Sequence, residues 1–360
     1  MRAVVAHGAG DFRLEEVADP VLDGGAIVRV EAAGVCAADR MIHAGDSPWE
    51  LEFPFVPGHE VVGTVTAIDP DTATHWGVAV GDRVVPEVMV PCGECALCRR
   101  DRMHLCRDGR HIGSSLPGGW AEQIWLPPEA VVWRVPDGLP PEEAVMAEPL
   151  AGAIHAIERA DPGHEDTLVI SGVGAIGAAA IAYVAAARPV GSLLALVTSP
   201  ERGELARELG AHDTIDVRAT DPRSALAEHF DGIGPDVFVE LSGRTEAVDL
   251  ALDAIVPGGR IVLYGVYRER GTIDWNVVAE FKELEIRGGH LAPHSFAAAL
   301  DLLSERRVDA RRLVTASYRL GSIDAAMSER RGGDRNTLKT ILLPEAPKVA
   351  DDSPTEEGAR

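Results

Sequence analysis

Two patterns of apolar and polar residues follow one another along the chain. Over the first ~150 residues, short β-branched runs (AVVAH, FRLEEV, AIVRVEAAGV, FPFVPGHEVVGTVTAI and DRVVPEV) are separated by Gly, Pro and Asp. Such runs predict strands joined by turns, with little helix. From Asp166 apolar runs alternate with helical periods: TLVIS, AIGAAAIAYVAAA, LLALV, ERGELAREL, TID, SALAEHF, DVFVEL, TEAVDLALDAI and RIVLYG. That alternation predicts a parallel sheet with helices on both faces. After about Gly289 a helix, SFAAALDLLSER, and mixed segments continue to about Leu343. The Pro-rich, acidic end predicts a disordered tail over 346–360.

Length and charge narrow the class. A chain of 360 residues exceeds one ordinary core and fits two domains. Its net charge of −23, from 57 acidic and 34 basic residues, repels nucleic acid and anionic membrane surfaces. No apolar run approaches the ~20 residues that a membrane helix needs. The start, MRAVVAHGAGDFRLEE, alternates like a strand and offers no apolar signal segment, so a cytoplasmic setting with reduced thiols is expected.

Three groups of residues carry candidate chemistry. Cys92, Cys95, Cys98 and Cys106 fall in one run, CGECALCRRDRMHLC, whose two interlocked C-x-x-C steps and fourth thiol can close a tetrahedral thiolate cage around zinc. Such a cage holds a loop and performs no chemistry. Gly172-Val173-Gly174-Ala175-Ile176-Gly177 follows a strand and opens an Ala-rich helix, the setting in which G-x-G-x-x-G cradles a dinucleotide pyrophosphate. Where an acid would hold the adenosine ribose, about 20 residues on, the chain has Val197, Thr198 and Ser199. Ser199 and Arg202 could meet a 2′-phosphate, which inclines the reading toward NADP over NAD. Ser199-Pro200 equally reads as a helix cap. The third group is Cys36, His59-Glu60 and Glu148, a donor set suited to an exchangeable zinc site.

In this order the motifs resemble those of the zinc-dependent medium-chain alcohol dehydrogenases, on the polyol, threonine and glucose dehydrogenase side. The resemblance extends to about residue 345 and rests on the following residues. They are Gly34, Cys36 and Asp39; Gly58-His59-Glu60 with Gly63; the four-cysteine run; Gly119 with Ala121-Glu122; Glu148-Pro149-Leu150; the glycine fingerprint; and Gly258-Gly259-Arg260. It implies an α/β chain with a GroES-like β-rich catalytic domain over 1–155, rejoined by 291–345. A Rossmann doubly wound parallel-sheet domain would span 156–290.

The same resemblance implies two zinc ions per subunit. Cys36 and His59 would hold the catalytic one, with Glu60 and Glu148 as alternating third ligand or water partner and Asp39 orienting the imidazole. The cysteine cage would hold the other. The fingerprint, Val197, Ser199, Arg202, Gly265 and Val266 would contact NAD or NADP. The implied reaction is reversible oxidation of a secondary alcohol, with zinc acidifying the hydroxyl and hydride passing to nicotinamide.

A carboxylate-lined site suits a small polyhydroxylated substrate: a polyol, sugar or cyclitol. Amino-alcohol (threonine-like) and aldose (glucose-like) substrates stay open, as does a non-catalytic NAD(P)H-binding protein of the same fold. A homodimer or homotetramer is expected, without nucleic-acid or membrane partners. One departure stands out: the family carries Ser or Thr two residues after the zinc cysteine to pass a proton outward, and this chain has Ala38. Met41 occupies a position that often carries His, with His43 nearby.

Overall fold

The computed structural model describes residues 1–328 and 337–344; the tail expected to be disordered lies outside them. The N-terminal strand pattern forms a mainly antiparallel sheet around Ala26–Val35, which pairs with Val61–Ile68, Gln123–Leu126 and Lys339–Leu343. The last of these pairings sets Thr340 opposite Val35 and Ile341 opposite Gly34. It brings the far end of the chain beside Cys36, where the long strand ends.

The alternating pattern forms a six-stranded, all-parallel sheet. Its order is Asp213–Asp216, Ser192–Val197, Thr167–Ser171, Val237–Glu240, Arg260–Leu263, Glu285–Gly288. Chain order reverses beside Thr167–Ser171, and the crevice at such a switch point is where open α/β sheets bind ligands. Helix Ala175–Ala187 follows that strand directly.

A single apolar core joins the two sheets. It runs from Ala32, Val62 and Val85 through the helix Ala147–Ala160 to Leu168, Ile170 and the buried face of Ala175–Ala187. The joining helix arises in a stretch expected to be poor in helix. Residues from Ala147 to Ala160 are mostly buried, and the polar stripe of Glu148, His155, Glu158 and Arg159 that marks the helical period falls largely beyond residue 150. A second difference is FPFVPGHEVVGTVTAI, of which only Val61–Ile68 becomes strand. Pro54 and Pro57 offer no N–H to a ladder, and the segment before Val61 instead delivers His59 and Glu60 to the end of the sheet.

Candidate metal and dinucleotide sites

The cage forms as a closed loop. Met89–Val90 pairs antiparallel with Arg110–His111, and the four cysteines lie on the chain between them. Their sulfur atoms stand 3.4 Å (Cys92–Cys106), 3.5 Å (Cys95–Cys98), 3.9 Å (Cys95–Cys106) and 4.0 Å (Cys92–Cys98) apart. A tetrahedron with Zn–S bonds of ~2.3 Å has edges of ~3.8 Å, so the four thiols fit the ion. These separations are far from the ~2.05 Å of a disulfide, and all five cysteines are free thiols.

Backbone N–H groups of Cys92, Cys95 and Cys98 donate to neighbouring sulfurs at 3.3–3.5 Å. Such donors favour thiolate, and they draw the Cys95 thiol down to about 6, whereas burial and its sulfur neighbours push Cys98 up to about 12. Cys98→Ser removes one corner. The expected result is zinc-free cage protein with an apparent Tm lower by about 5–10 °C, as a loss of a few kcal/mol produces; metal analysis and thermal melting check it.

The second cluster forms where two elements end. Cys36 caps the helix Ala37–Ala44, and Asp39 in its first turn accepts the Cys36 backbone N–H at 2.8 Å. Asp39 is buried, and its other oxygen lies 3.8 Å from Nδ1 of His59, an ion-pair distance. Gly34 is required here, because any side chain would strike the Glu60 carboxylate. Donor atoms of Cys36, His59 and Glu60 all lie within 4.8 Å of one another, and this donor set fits a zinc ion. Burial opposes charge on His59, but Asp39, Cys36 and Glu148 together raise its pKa well above the ordinary value. A metal ion entering there therefore displaces a proton.

Neither carboxylate is a simple ligand. Glu60 is buried and both its oxygens accept from Nζ of Lys339, at 2.5 and 2.6 Å. Burial alone would lower the Lys339 ammonium; Glu60, Cys36 and Glu148 more than offset it and raise its pKa. Glu148, in the first turn of Ala147–Ala160, stands outside the 4.8 Å set but lines the same cleft. Burial, then the Glu60 charge, raises its carboxyl to about 7. Ala38 also faces the cleft, whereas Met41 is buried and His43 packs edge-on against Phe12 at 4.9 Å.

One cleft of about 1760 Å³ joins Cys36, His59 and Glu148 to the Gly172–Gly177 turn. Gly172 has φ +94 beside Ser242, and Gly177 lies against the Gly172 carbonyl, so the turn is tight. A Cβ on Gly174 would meet nothing within 4 Å, which leaves room for a phosphate against its backbone. Val173, Ala175 and Ile176 line the cleft with the glycines.

Of the residues expected to contact the cofactor beyond the fingerprint, some line the cleft and others are buried. Val197, the last residue of its strand, belongs to the apolar core at 2% exposure; the exposed, cleft-lining residue is Thr198. Ser199 borders the cleft, yet it is buried as the helix cap, its hydroxyl accepting the Arg202 backbone N–H at 3.3 Å. Arg202 is also buried and donates to the Thr337 carbonyl. Val266 lines the cleft, while Gly265 sits behind it against Gly243 and Glu240.

Sequence reasoning missed three residues here: Lys339, Arg218 and Glu240. Arg218 is exposed in the cleft just past the strand Asp213–Asp216, a position that the C-terminal-end rule for parallel strands could have flagged. Glu240 is fully buried and accepts from the Ser242 and Gly243 N–H groups and the Tyr267 hydroxyl, fixing the loop beside the fingerprint.

Comparison with known proteins agrees with this architecture. Residues 22–137 match the alcohol dehydrogenase GroES-like domain, and residues 175–305 match the zinc-binding dehydrogenase domain. The chain belongs to the zinc-binding, medium-chain alcohol dehydrogenase family. It is 37% identical over 355 residues to the erythritol/L-threitol dehydrogenase of Mycolicibacterium smegmatis, covering 96% of this chain and 98% of that protein. An Escherichia coli CFT073 alcohol dehydrogenase complexed with NADH superposes with TM-score 0.86 at 25% identity, covering 95% of this chain and 99% of that one. A zinc-binding dehydrogenase from Sinorhizobium meliloti 1021, bound to NADP, also superposes with TM-score 0.86, at 27% identity, covering 95% of this chain and 99% of that one.

Proposed function

We propose that this protein reversibly oxidises a secondary hydroxyl of a small polyol, with NAD(P) as hydride acceptor and zinc at Cys36 and His59. One observation carries the reading: a single cleft runs from the Cys36–His59–Glu60 donor set to the Gly172–Gly177 turn. Bound zinc supplies a Lewis acid and bound NAD(P) a hydride acceptor. The chain's own groups do the rest. Asp39 orients His59, and Lys339 holds the Glu60 carboxylate against the end of the sheet. Glu148 lines the same cleft as Ala38 and is the carboxylate placed to pass the proton that Ala38 lacks the hydroxyl to pass. The turn from Gly172 to Gly177 receives the pyrophosphate. The experiment is a turnover assay of zinc-loaded protein against polyols, sugars, cyclitols and amino alcohols, with NAD and NADP in parallel. Binding of cofactor without turnover of any of them would defeat the reading.

The relatives solved with NADH and with NADP do not choose the cofactor for this chain. Absence of an acid at Thr198 and the exposed guanidinium of Arg218 favour NADP. We expect kcat/KM for NADP to be within about tenfold of that for NAD or better, and Thr198→Asp to shift the ratio at least tenfold toward NAD by repelling the 2′-phosphate. A native preference for NAD of ~100-fold, about 2.7 kcal/mol at ~1.36 kcal/mol per decade, would show that another group holds the ribose.

The same reading makes residues 1–155 and 291–345 the catalytic domain and 156–290 the nucleotide domain. It also makes the protein a cytoplasmic homodimer or homotetramer. Free thiols in the cage support the compartment, and exposed Trp275 and Phe281 near the edge strand Glu285–Gly288 support self-association. Among the described residues no helix is long and apolar enough to cross a membrane.

A further inference from the structure

The cleft carries two imidazoles, His111 and His290, that hold neither metal donors nor the glycine turn. They come from opposite halves of the molecule. His111 ends the short strand leaving the cysteine cage, and His290 follows the last strand of the parallel sheet. Both backbones are pinned. The His111 N–H donates to Ser115 Oγ at 2.8 Å, and its carbonyl accepts from Ser114 and Leu116 at 3.3 and 3.0 Å. His290 lies between Gly289, whose N–H donates to Leu263 at 3.0 Å, and Leu291, whose carbonyl accepts the Tyr264 hydroxyl at 2.7 Å.

Both rings, by contrast, make no hydrogen bond among the described residues. Two other histidines close by do not line the cleft. The His104 and His155 rings meet edge-to-face at 5.9 Å, and His155 meets Tyr264 at 6.3 Å. The cleft that holds the donor set therefore also contains two imidazoles on anchored backbone, neither ring with a hydrogen-bond partner among the described residues. A neutral imidazole offers one donor and one acceptor, and an alcohol hydroxyl offers the same two functions. A carboxylate can only accept and an ammonium can only donate.

We propose that His111 and His290 form a hydroxyl-binding pair that grips a second hydroxyl of the substrate, selecting diols and longer polyols over monohydric alcohols. This rests on the polyol-oxidation reading above and assigns its specificity. Burial lowers the pKa of both rings, and the neighbouring His290 presses His111 the same way, which favours the uncharged form of the pair. An uncharged pair offers a hydroxyl both a donor and an acceptor and brings no positive charge to attract a carboxylate.

The test compares erythritol, butan-2-ol and L-threonine as substrates for the zinc-loaded protein, its His111→Phe and His290→Phe variants, and His290→Gln. Phe keeps the ring's shape and loses both nitrogens; Gln keeps a donor and an acceptor. Calorimetric binding of erythritol to the zinc- and NAD(P)H-loaded proteins is measured alongside, and unchanged melting and NAD(P)H affinity establish that the variants fold. The ratio of kcat/KM for erythritol over butan-2-ol is expected to fall about tenfold in each Phe variant. His290→Gln should retain most of it. An unchanged ratio, or a selective loss on L-threonine, overturns the pair while leaving alcohol oxidation intact. If the parent protein turns over no alcohol, the oxidation reading falls. The pair is then judged by calorimetry, supported by weaker erythritol binding in the Phe variants and overturned by equal or absent binding.

Discussion

Cys36→Ser is expected to abolish turnover, by at least ~10³-fold, while leaving the fold and the cysteine cage in place. Cys36 is the one thiol of the donor set, and its main chain is held independently, by the long strand on one side and the Asp39 cap on the other. Serine preserves that geometry and removes the thiolate, which is the soft, charged ligand that zinc favours. Metal analysis should then show one zinc per subunit in place of two, and NAD(P)H binding should persist, because the Gly172–Gly177 turn belongs to the other sheet. Two retained zinc ions in a fully active variant would show that the metal centre lies elsewhere.

Lys339→Met is expected to produce the largest loss of stability. Its ammonium is buried against a buried carboxylate, with 3% and 2% side-chain exposure, and both Glu60 oxygens depend on it. Breaking a buried pair from one side leaves a charge in the interior and costs about 3–5 kcal/mol. The double variant Lys339→Met, Glu60→Gln should recover most of the loss, because no net charge is then stranded. Denaturant unfolding of chelator-stripped and zinc-loaded protein provides the check. The loss should be smaller with zinc, since the cation can take up the freed carboxylate. A single variant as stable as the parent would mean that the pair does not neutralise Glu60.

Much of this was legible in the sequence, and the parts that were not share a cause. Buried strands such as TLVIS and DVFVEL carry their period within a few residues, and the fingerprint places its own turn and helix. Cys36, His59 and the four cysteines could be recognised because each motif is local. Lys339 could not: it meets Glu60 only because Lys339–Leu343 pairs with Ala26–Val35, a contact across almost the whole chain. Arg218 reaches the cleft through a neighbouring strand of the parallel sheet, again a matter of topology. Val197 is a subtler case. The strand is covered on both faces, so Leu196 and Val197 are both core, and the cleft begins only where the strand has ended. Thr198 is the residue that faces out. Glu240 was hidden for another reason, as an acid at the end of an apolar run whose partners are loop N–H groups and the hydroxyls of Ser242 and Tyr267, brought together only by the fold.

Hydride leaving a carbinol carbon for a nicotinamide held in this cleft is the central step, and isotope transfer measures it. Erythritol deuterated at its secondary carbons, incubated with zinc-loaded protein and NAD(P), should yield NAD(P)H one mass unit heavier, with the transfer lost on chelation and restored by zinc. Reduced nucleotide carrying no deuterium, or transfer that survives removal of the metal, would contradict it.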